Sequence, residues 1–357
     1  MSFADSILQT ASIARCVSEV DTKSNQTIFT RHRKDRALAV STNERITGVL
    51  SPVVTPFKAD LSPDSERLLA HCRWLLSNDV GLAVFGTNSE ANSLAVDEKI
   101  ELLDRLIGGV DPARVMPGTG CCALTDSVRL TAHAVKLGCG GVLMLPPFYY
   151  KGVSEEGLFR SFAEVIERVG DTRLRIYLYN IPPVSQVAIT LSLIERLLKT
   201  YSGIVAGVKD SSGDWNNTKA YLDSFAGQDF DVFPGSETFL LQGMRNGGAG
   251  CISATANVNP HAIARLFAAW QAADADAQQA RLNEIRSIFA TYPMIPALKA
   301  AIAHYSGDPS WGTVRPPLVE LTEEQKISLV NELDGAGFTI PTQTSVTKGR
   351  ASGAASG

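Results

Sequence analysis

Histidine and organised cysteine are scarce in this 357-residue chain, and their scarcity narrows its chemistry. The 5 histidines (His32, His71, His133, His261, His304) fall in an end segment or in helix-like stretches, which removes the main ingredient of Ser-His or metal-His catalysis. His71 and His133 read as helix-surface or interhelical residues. The 6 cysteines are scattered, with no CxxC pair and no histidines interleaved at ligand spacing. Neither a zinc nor a disulfide framework is expected, and a reducing cytoplasm is the simplest setting. Adjacent Cys121 and Cys122 read as small polarizable residues after a strand rather than as a redox pair. No apolar run reaches the ~18 residues of a membrane span. A formal net charge of -4 leaves no basic surplus for nucleic acid or an anionic membrane surface. The stretch from Met1 to Thr30 carries Asp5, Glu19 and Asp21 and fits neither a secretory signal nor an acid-poor transit peptide.

What the chain does contain is an ordinary globular composition, 45% hydrophobic and 20% charged, and a regular alternation of patterns. Residues 48–57, 81–85, 114–117, 141–145, 175–179, 204–209, 230–233 and 250–253 read as eight short strands, each followed by a helical segment. Among those segments are a helix from Asp64 to about Ser77, one over 97–107, one capped by Thr125 and running to Leu137, and one opened by Ser154. This is the count of a closed (β/α)₈ TIM barrel, α/β in class. An open doubly wound sheet would carry GxGxxG after its first strand, and none is there. The cluster Gly247-Gly248-Ala249-Gly250 precedes a strand and reads as a helix stop and tight turn. Three further helical stretches, over 263–273, 276–289 and 295–305, exceed the one helix a barrel needs after its last strand, so a C-terminal helical extension is expected. The domain reading is an appendage over 1–46 with a solvated basic run at 31–36, the barrel over 47–272, the extension over 273–338 and a disordered Ser/Thr/Gly/Ala-rich tail over 339–357.

In such a barrel the active site lies where strands run into the loops that follow them. The residues so placed include Thr55, 86–90, 118–120, 148–150, Tyr179, Asn180, 209–212, 235–237 and 253–255. They hold a single lysine, Lys209, at the end of the apolar run Ile204-Val205-Ala206-Gly207-Val208. An amine held among apolar side chains favours its neutral, nucleophilic form, which attacks carbonyl carbon to give a Schiff base. The competing reading is a lysine that escapes to water at a strand end. Tyr179 ends a neighbouring strand with a hydroxyl in reach, unless it is simply a core ring with a wet hydroxyl. The loop Gly86-Thr87-Asn88-Ser89 offers hydroxyl and backbone N–H donors to a carboxylate, unless Thr87 merely caps its turn. Glu90, Asp210 and Glu237 could ligate Mg²⁺, but nothing in their spacing singles that out.

Three stretches, Gly86-Thr87-Asn88-Ser89-Glu90, Tyr179-Asn180-Ile181-Pro182 and Gly207-Val208-Lys209-Asp210-Ser211-Ser212-Gly213, resemble in order and spacing the signatures of the dihydrodipicolinate synthase and N-acetylneuraminate lyase (DapA-like) family. The resemblance runs from about residue 47 to 335 and takes in Thr55-Pro56-Phe57 and residues 250–257. It implies a TIM barrel with a C-terminal helical extension, usually a homotetramer built from dimers. The implied activity is a class I lyase or aldolase that condenses or cleaves pyruvate-type carbonyl compounds without a metal or other cofactor. Its partners would be a small-molecule 2-oxo acid and copies of itself, with no nucleic acid and no membrane. By the same resemblance Lys209 forms the imine, Tyr179 shuttles protons and contacts the substrate carboxylate, Thr87 relays protons, and Thr87 with Asn88 binds the pyruvyl carboxylate. Tyr149 would reach across a dimer interface to complete the relay, or Tyr150 instead, because the loop here is one residue longer. Ile252 would contribute a backbone carbonyl near Tyr179.

Two departures bear on function. Asn88-Ser89 stands where the family usually has a second Thr or Ser and then Gly, and serine takes glycine backbone angles only at a cost. Val184 stands shortly after the Tyr-Asn-x-Pro motif, where the dihydrodipicolinate synthases resembled here place an arginine for the carboxylate of aspartate semialdehyde. That favours an aldolase with a hydroxylated or neutral acceptor over a true 4-hydroxy-tetrahydrodipicolinate synthase. Glu237, Ser236 and Ser211 would then meet sugar-like hydroxyls, although a carboxylate facing a helix N-terminus accounts for Glu237 equally well. A barrel that only binds a ligand or regulates is the reading of another class.

Overall fold

A computed structural model describes residues 45–340 of the chain. The expected appendage therefore falls almost wholly outside the described residues, as does most of the expected tail. The short apolar runs form parallel strands: β1 (Gly48–Ser51), β2 (Gly81–Leu82), β3 (Val142–Met144), β4 (Ile176–Asn180), β5 (Val205–Asp210), β6 (Asp231–Pro234) and β7 (Gly250–Ile252). Their hydrogen-bonded orders are β2-β1-β7 and β3-β4-β5-β6.

Two seams join these sheets into a (β/α)₈ barrel. At the first, the Met116 and Gly118 amides donate to the carbonyls of Leu82 and Val84 at 2.8 and 2.7 Å, and Thr119 donates to Leu143 at 3.0 Å. This segment is the expected third strand. Pro117 has no N–H to give, so only isolated bridges form there and not a continuous ladder. At the second seam the Ala249 amide donates to Val232 and the Gly48 amide to Ala249, at 3.0 and 2.8 Å. Gly250 sits at that seam with φ +140°, and a Cβ on it would lie 1.9 Å from the Gly48 carbonyl oxygen, so glycine alone lets β7 close against β1.

Amphipathic helices surround the barrel: α1 (Ser65–Ser77), α2 (Val96–Ile107), α3 (Leu124–Lys136), α4 (Glu155–Val169), α5 (Pro182–Ser185), α6 (Leu191–Thr200), α7 (Trp215–Phe225), α8 (Leu240–Arg245) and α9 (Pro260–Ala268). The Asp64 carboxylate caps α1 by accepting from the Arg67 amide at 3.0 Å, and Ser154 caps α4. α3 departs from expectation: Thr125 lies inside its first turn, the cap position is Ala123, and Ser127 Oγ instead accepts from the Cys121 amide at 2.8 Å. Apolar helix stripes such as Leu75, Leu103 and Leu193 share one core with the strand residues Val49, Val142 and Val208. Leu50, Met116, Leu143, Tyr177, Phe233 and Ile252 fill the barrel interior, which is a packed core and not a pore.

After α9 come α10 (Ala275–Ala290), α11 (Met294–Ser306) and α12 (Glu323–Gly335). They enclose a second core around Phe289, Leu298, Trp311, Leu329 and Leu333, which also takes in Val54 and Ala254 from the barrel rim. Among the described residues no helix is long and apolar enough to cross a membrane.

Candidate active site

The barrel mouth is organised by β4 and β5, which pair in parallel with Tyr177 opposite Gly207, Tyr179 opposite Lys209 and Asn180 opposite Asp210. Lys209 and Tyr179 are each 3% exposed, so the lysine does not escape to water at its strand end. Its Nζ lies 4.2 Å from the centroid of the Tyr179 ring, within cation–π range. The Tyr179 hydroxyl is 3.1 Å from Thr87 Oγ1. The amine over the tyrosine ring and the threonine hydroxyl at its phenol thus form a chain of contacts assembled from three elements far apart in sequence.

The residues next along β4 and β5 hold that chain in place. Asn180 Nδ2 donates to Asp210 Oδ1 at 2.9 Å, while Asn180 Oδ1 accepts from the Ile189 amide at 3.0 Å. Asp210 also accepts from the Ser212 amide at 3.1 Å, Ser212 Oγ at 2.9 Å and Thr218 Oγ1 at 2.6 Å. A carboxylate 2% exposed is here met by hydrogen-bond donors, the usual condition for burying one.

The loop after β2 forms a 3₁₀ turn over Thr87–Ser89. Thr55 Oγ1 donates to the Ser89 carbonyl at 2.7 Å, and the Gly86 amide donates to Ser89 Oγ at 3.2 Å. Ser89 needs no glycine-like backbone: the left-handed residues of this loop are Phe85, at φ 61°, and Glu90, at φ 55°. The Glu90 side chain runs to the extension, where it forms a fully buried ion pair with Lys299. Sequence reading missed Lys299. The available signal was a lone lysine inside an otherwise apolar helical stretch, between Leu298 and Ala300.

The other expected residues are placed as follows. Ile252 is fully buried and pairs with Leu50 of β1. The Ser211 amide donates to the Asn180 carbonyl at 2.7 Å. Glu237 is 1% exposed, its two oxygens accept from the Ser253 and Thr255 hydroxyls, and Arg286 Nη1 lies 3.6 Å away. Those partners satisfy the buried carboxylate within the protein. Tyr149 and Tyr150 are exposed and meet edge to face, with ring centroids 5.3 Å apart; within one chain neither hydrogen-bonds to the Lys209, Tyr179 and Thr87 group. Val184 is exposed on α5, and Lys151 Nζ donates to the neighbouring Ser185 carbonyl at 2.8 Å. Glu90, Asp210 and Glu237 belong to separate networks, and among the described residues no group of three or more His, Cys, Asp or Glu could hold a metal ion.

His71 and Asp231 are among the buried titratable groups outside this set of hydroxyls. His71 stacks near Trp74 and Trp311 with Nε2 3.4 Å from Asn257 Oδ1, and burial pulls its pKa down to about 4, leaving it neutral. Asp231, at the start of β6, is pushed up to about 6 by burial; it accepts from the Tyr177 hydroxyl at 3.3 Å and lies 3.4 Å from Arg45 Nε.

The sequence profile of the Dihydrodipicolinate synthetase family matches residues 45–336. An uncharacterized DapA-like lyase of Chloroflexus aurantiacus is 35% identical over 285 residues, 79% of this chain and 94% of that protein. A 4-hydroxy-tetrahydrodipicolinate synthase of Desulforamulus reducens is 32% identical over 283 residues, 78% of this chain and 93% of that protein. Among solved structures, dihydrodipicolinate synthase from Agrobacterium tumefaciens superposes with a TM-score of 0.75 at 33% identity, covering 82% of this chain and 99% of that one. YagE of E. coli K12, a member of the dihydrodipicolinic acid synthase family solved in complex with pyruvate, superposes with a TM-score of 0.76 at 29% identity over 82% of this chain and 99% of its own.

Proposed function

Since this chain belongs to the Dihydrodipicolinate synthetase family, a family of lyases and aldolases, we propose that it is a class I enzyme in which Lys209 forms a Schiff base with pyruvate or a related 2-oxo acid. A C–C bond is then made or broken at the carbon next to the imine. The observation that carries the reading is the Tyr179 hydroxyl, 3.1 Å from Thr87 Oγ1, on the residue whose ring meets the Lys209 amine. In imine formation the amine nitrogen bonds the carbonyl carbon, and the carbonyl oxygen leaves as water once it has gained two protons. A phenol beside the nitrogen delivers and recovers those protons, and Thr87 passes them on. The hydroxyl of Thr87 and the loop at Asn88 receive the substrate carboxylate, and the Ile252 carbonyl serves as a further acceptor beside Tyr179. No step in this scheme calls for a metal or other cofactor.

Tyr149 or Tyr150, both exposed, reaches the relay of a second copy in a dimer or tetramer. YagE supports the first substrate, being a family relative in complex with pyruvate. On the acceptor, exposed Val184 offers no charged fork for a carboxylate, which favours an acceptor whose far end is hydroxylated or neutral. The free thiols Cys72, Cys121, Cys122, Cys139 and Cys251 suit a reducing, cytoplasmic setting.

The test is to incubate the protein with pyruvate and borohydride and weigh it. A reduced pyruvyl adduct on the wild-type protein, absent from Lys209→Ala, supports the reading. A folded wild-type protein that takes up no adduct would leave a ligand-binding barrel as the better account. Turnover of 4-hydroxy-2-oxo acids, N-acetylneuraminate and aspartate semialdehyde in parallel then identifies the acceptor.

A further inference from the structure

Thr87 hangs on a turn whose last residue is tied to a helix outside the barrel. We propose that the buried Glu90–Lys299 ion pair is a positioning device for the Thr87 hydroxyl, by which α11 sets the geometry of the proton relay; this rests on the class I reading above.

The turn over Thr87–Ser89 closes when the Glu90 amide donates to the Thr87 carbonyl at 3.1 Å. Glu90 adopts φ 55° and ψ 36°, a left-handed conformation that L side chains take only at a cost, so contacts beyond the turn must hold it. Two do. One oxygen pairs with Lys299 Nζ, both side chains being 0% exposed, and the other accepts from the Arg315 amide at 2.9 Å. Lys299 in turn donates to the Thr313 carbonyl at 2.8 Å and stands 4.5 Å from the Phe57 ring centroid. The Arg315 guanidinium lies 4.7 Å from the same ring and donates to the Ser93 carbonyl at 2.6 Å, so the chain is held at Glu90 and again at Ser93.

The chemistry of the anchor is informative. Elsewhere the extension packs through apolar residues such as Leu298, Leu329 and Leu333, and other charged ties to the barrel such as Arg67–Asp308 and Arg315–Glu98 are only partly buried. Buried ion pairs rarely improve stability over apolar packing, because desolvation offsets their attraction. What they do impose is direction and distance, since each charge must keep its partner. Here that constraint falls where the extension meets the loop carrying Thr87, whose hydroxyl is useful only within hydrogen-bond reach of Tyr179.

The experiment compares Lys299→Met, Glu90→Gln and the double variant with Leu329→Ala. The last opens a cavity in the same extension core without touching Glu90. Two quantities are read: the melting temperature, and the rate of pyruvate-dependent borohydride trapping at saturating and at low pyruvate. We expect each single variant to lower the saturated trapping rate by about tenfold or more, the scale of a misplaced proton relay. The double variant should lose no more than either single, since both disable one device. Leu329→Ala should melt lower yet trap within about twofold of wild type. An unchanged rate in a folded Lys299→Met protein, or an equal loss in Leu329→Ala, would overturn the proposal and leave the pair a structural anchor. If Lys299→Met does not fold, Glu90→Gln decides by the same readout, because it keeps the side-chain shape and the acceptor for the Arg315 amide. A wild-type protein that traps no pyruvate defeats the class I reading and this inference with it; a wild type that traps beside unchanged variants defeats this inference alone.

Discussion

Lys209 and Tyr179 are register partners on adjacent parallel strands, with the lysine Nζ 4.2 Å from the tyrosine ring centroid. The phenol hydroxyl points on to Thr87 Oγ1 at 3.1 Å. One side chain therefore presents a π face to the amine and a hydroxyl to Thr87, and the two contributions are separable.

Tyr179→Phe keeps the ring and removes the hydroxyl. The rate of imine trapping with pyruvate should fall by about 10²–10⁴, the range for losing a positioned acid–base group, while the folded state is retained. Timed borohydride quenching measures it. A loss below about threefold would show that another group moves the protons.

Asp210 accepts from Asn180, Thr218 and both the amide and hydroxyl of Ser212. Asp210→Ala strands those buried donors and should cost about 3 kcal/mol in urea denaturation, of the order expected for unsatisfied buried polar groups. Asp210→Asn, which retains one acceptor, should cost less. Equal stability in all three proteins would refute the role given to this network.

His71 and Asp231 make opposite contributions to stability across one pH window. His71 is held at about 4, below the ordinary 6.5, so the unfolded chain binds more protons and this contribution is lost as pH falls from 6.5 through 4. Asp231 is held at about 6, above the ordinary 3.8, so the folded protein binds more protons and this contribution is lost as pH rises from 3.8 through 6. Urea titrations at about pH 4.5 and about pH 7 should show His71→Gln gaining relative stability at the acid end and Asp231→Asn at the neutral end, each by up to about 3 kcal/mol. Shifts of the same sign in both variants would contradict the assignment.

Gly207 fits closely between β4 and β6: a Cβ there would lie 2.4 Å from the Asp231 carbonyl oxygen and 2.8 Å from Tyr177 Cδ1. Gly207→Ala should cost about 1–3 kcal/mol by overpacking and also displace Lys209, two residues on. Denaturation and trapping rates should fall together; a stable variant with normal trapping would show that β5 has slack.

How much was legible in the sequence depended on the range of each interaction. Lys209 stood out because a lysine closing the run Ile204–Val208 conflicts with its own surroundings, and the alternating pattern put it on the barrel rim. Segment 114–117 was faint because Pro117 breaks the ladder that would have marked it. Glu237 stayed open between a substrate contact and a carboxylate facing a helix N-terminus because its donors, Ser253 and Thr255, lie 16 and 18 residues downstream on another strand end. Lys299 meets Glu90 across 209 residues, a partnership that only the folded extension creates. The part proposed for Tyr149 or Tyr150 would involve a second copy of the chain, whose contacts no single-chain pattern displays.

The central claim is that Lys209 is the imine-forming amine, and the most direct measurement is the site of the trapped adduct. Wild-type protein is reduced with borohydride in the presence of pyruvate, digested, and its peptides sequenced by mass spectrometry. The account predicts one reduced pyruvyl adduct, on Lys209, and a Lys209→Ala protein that keeps its helical circular dichroism but acquires none. An adduct on another buried lysine such as Lys99 or Lys299, or trapping that persists in Lys209→Ala, would contradict it.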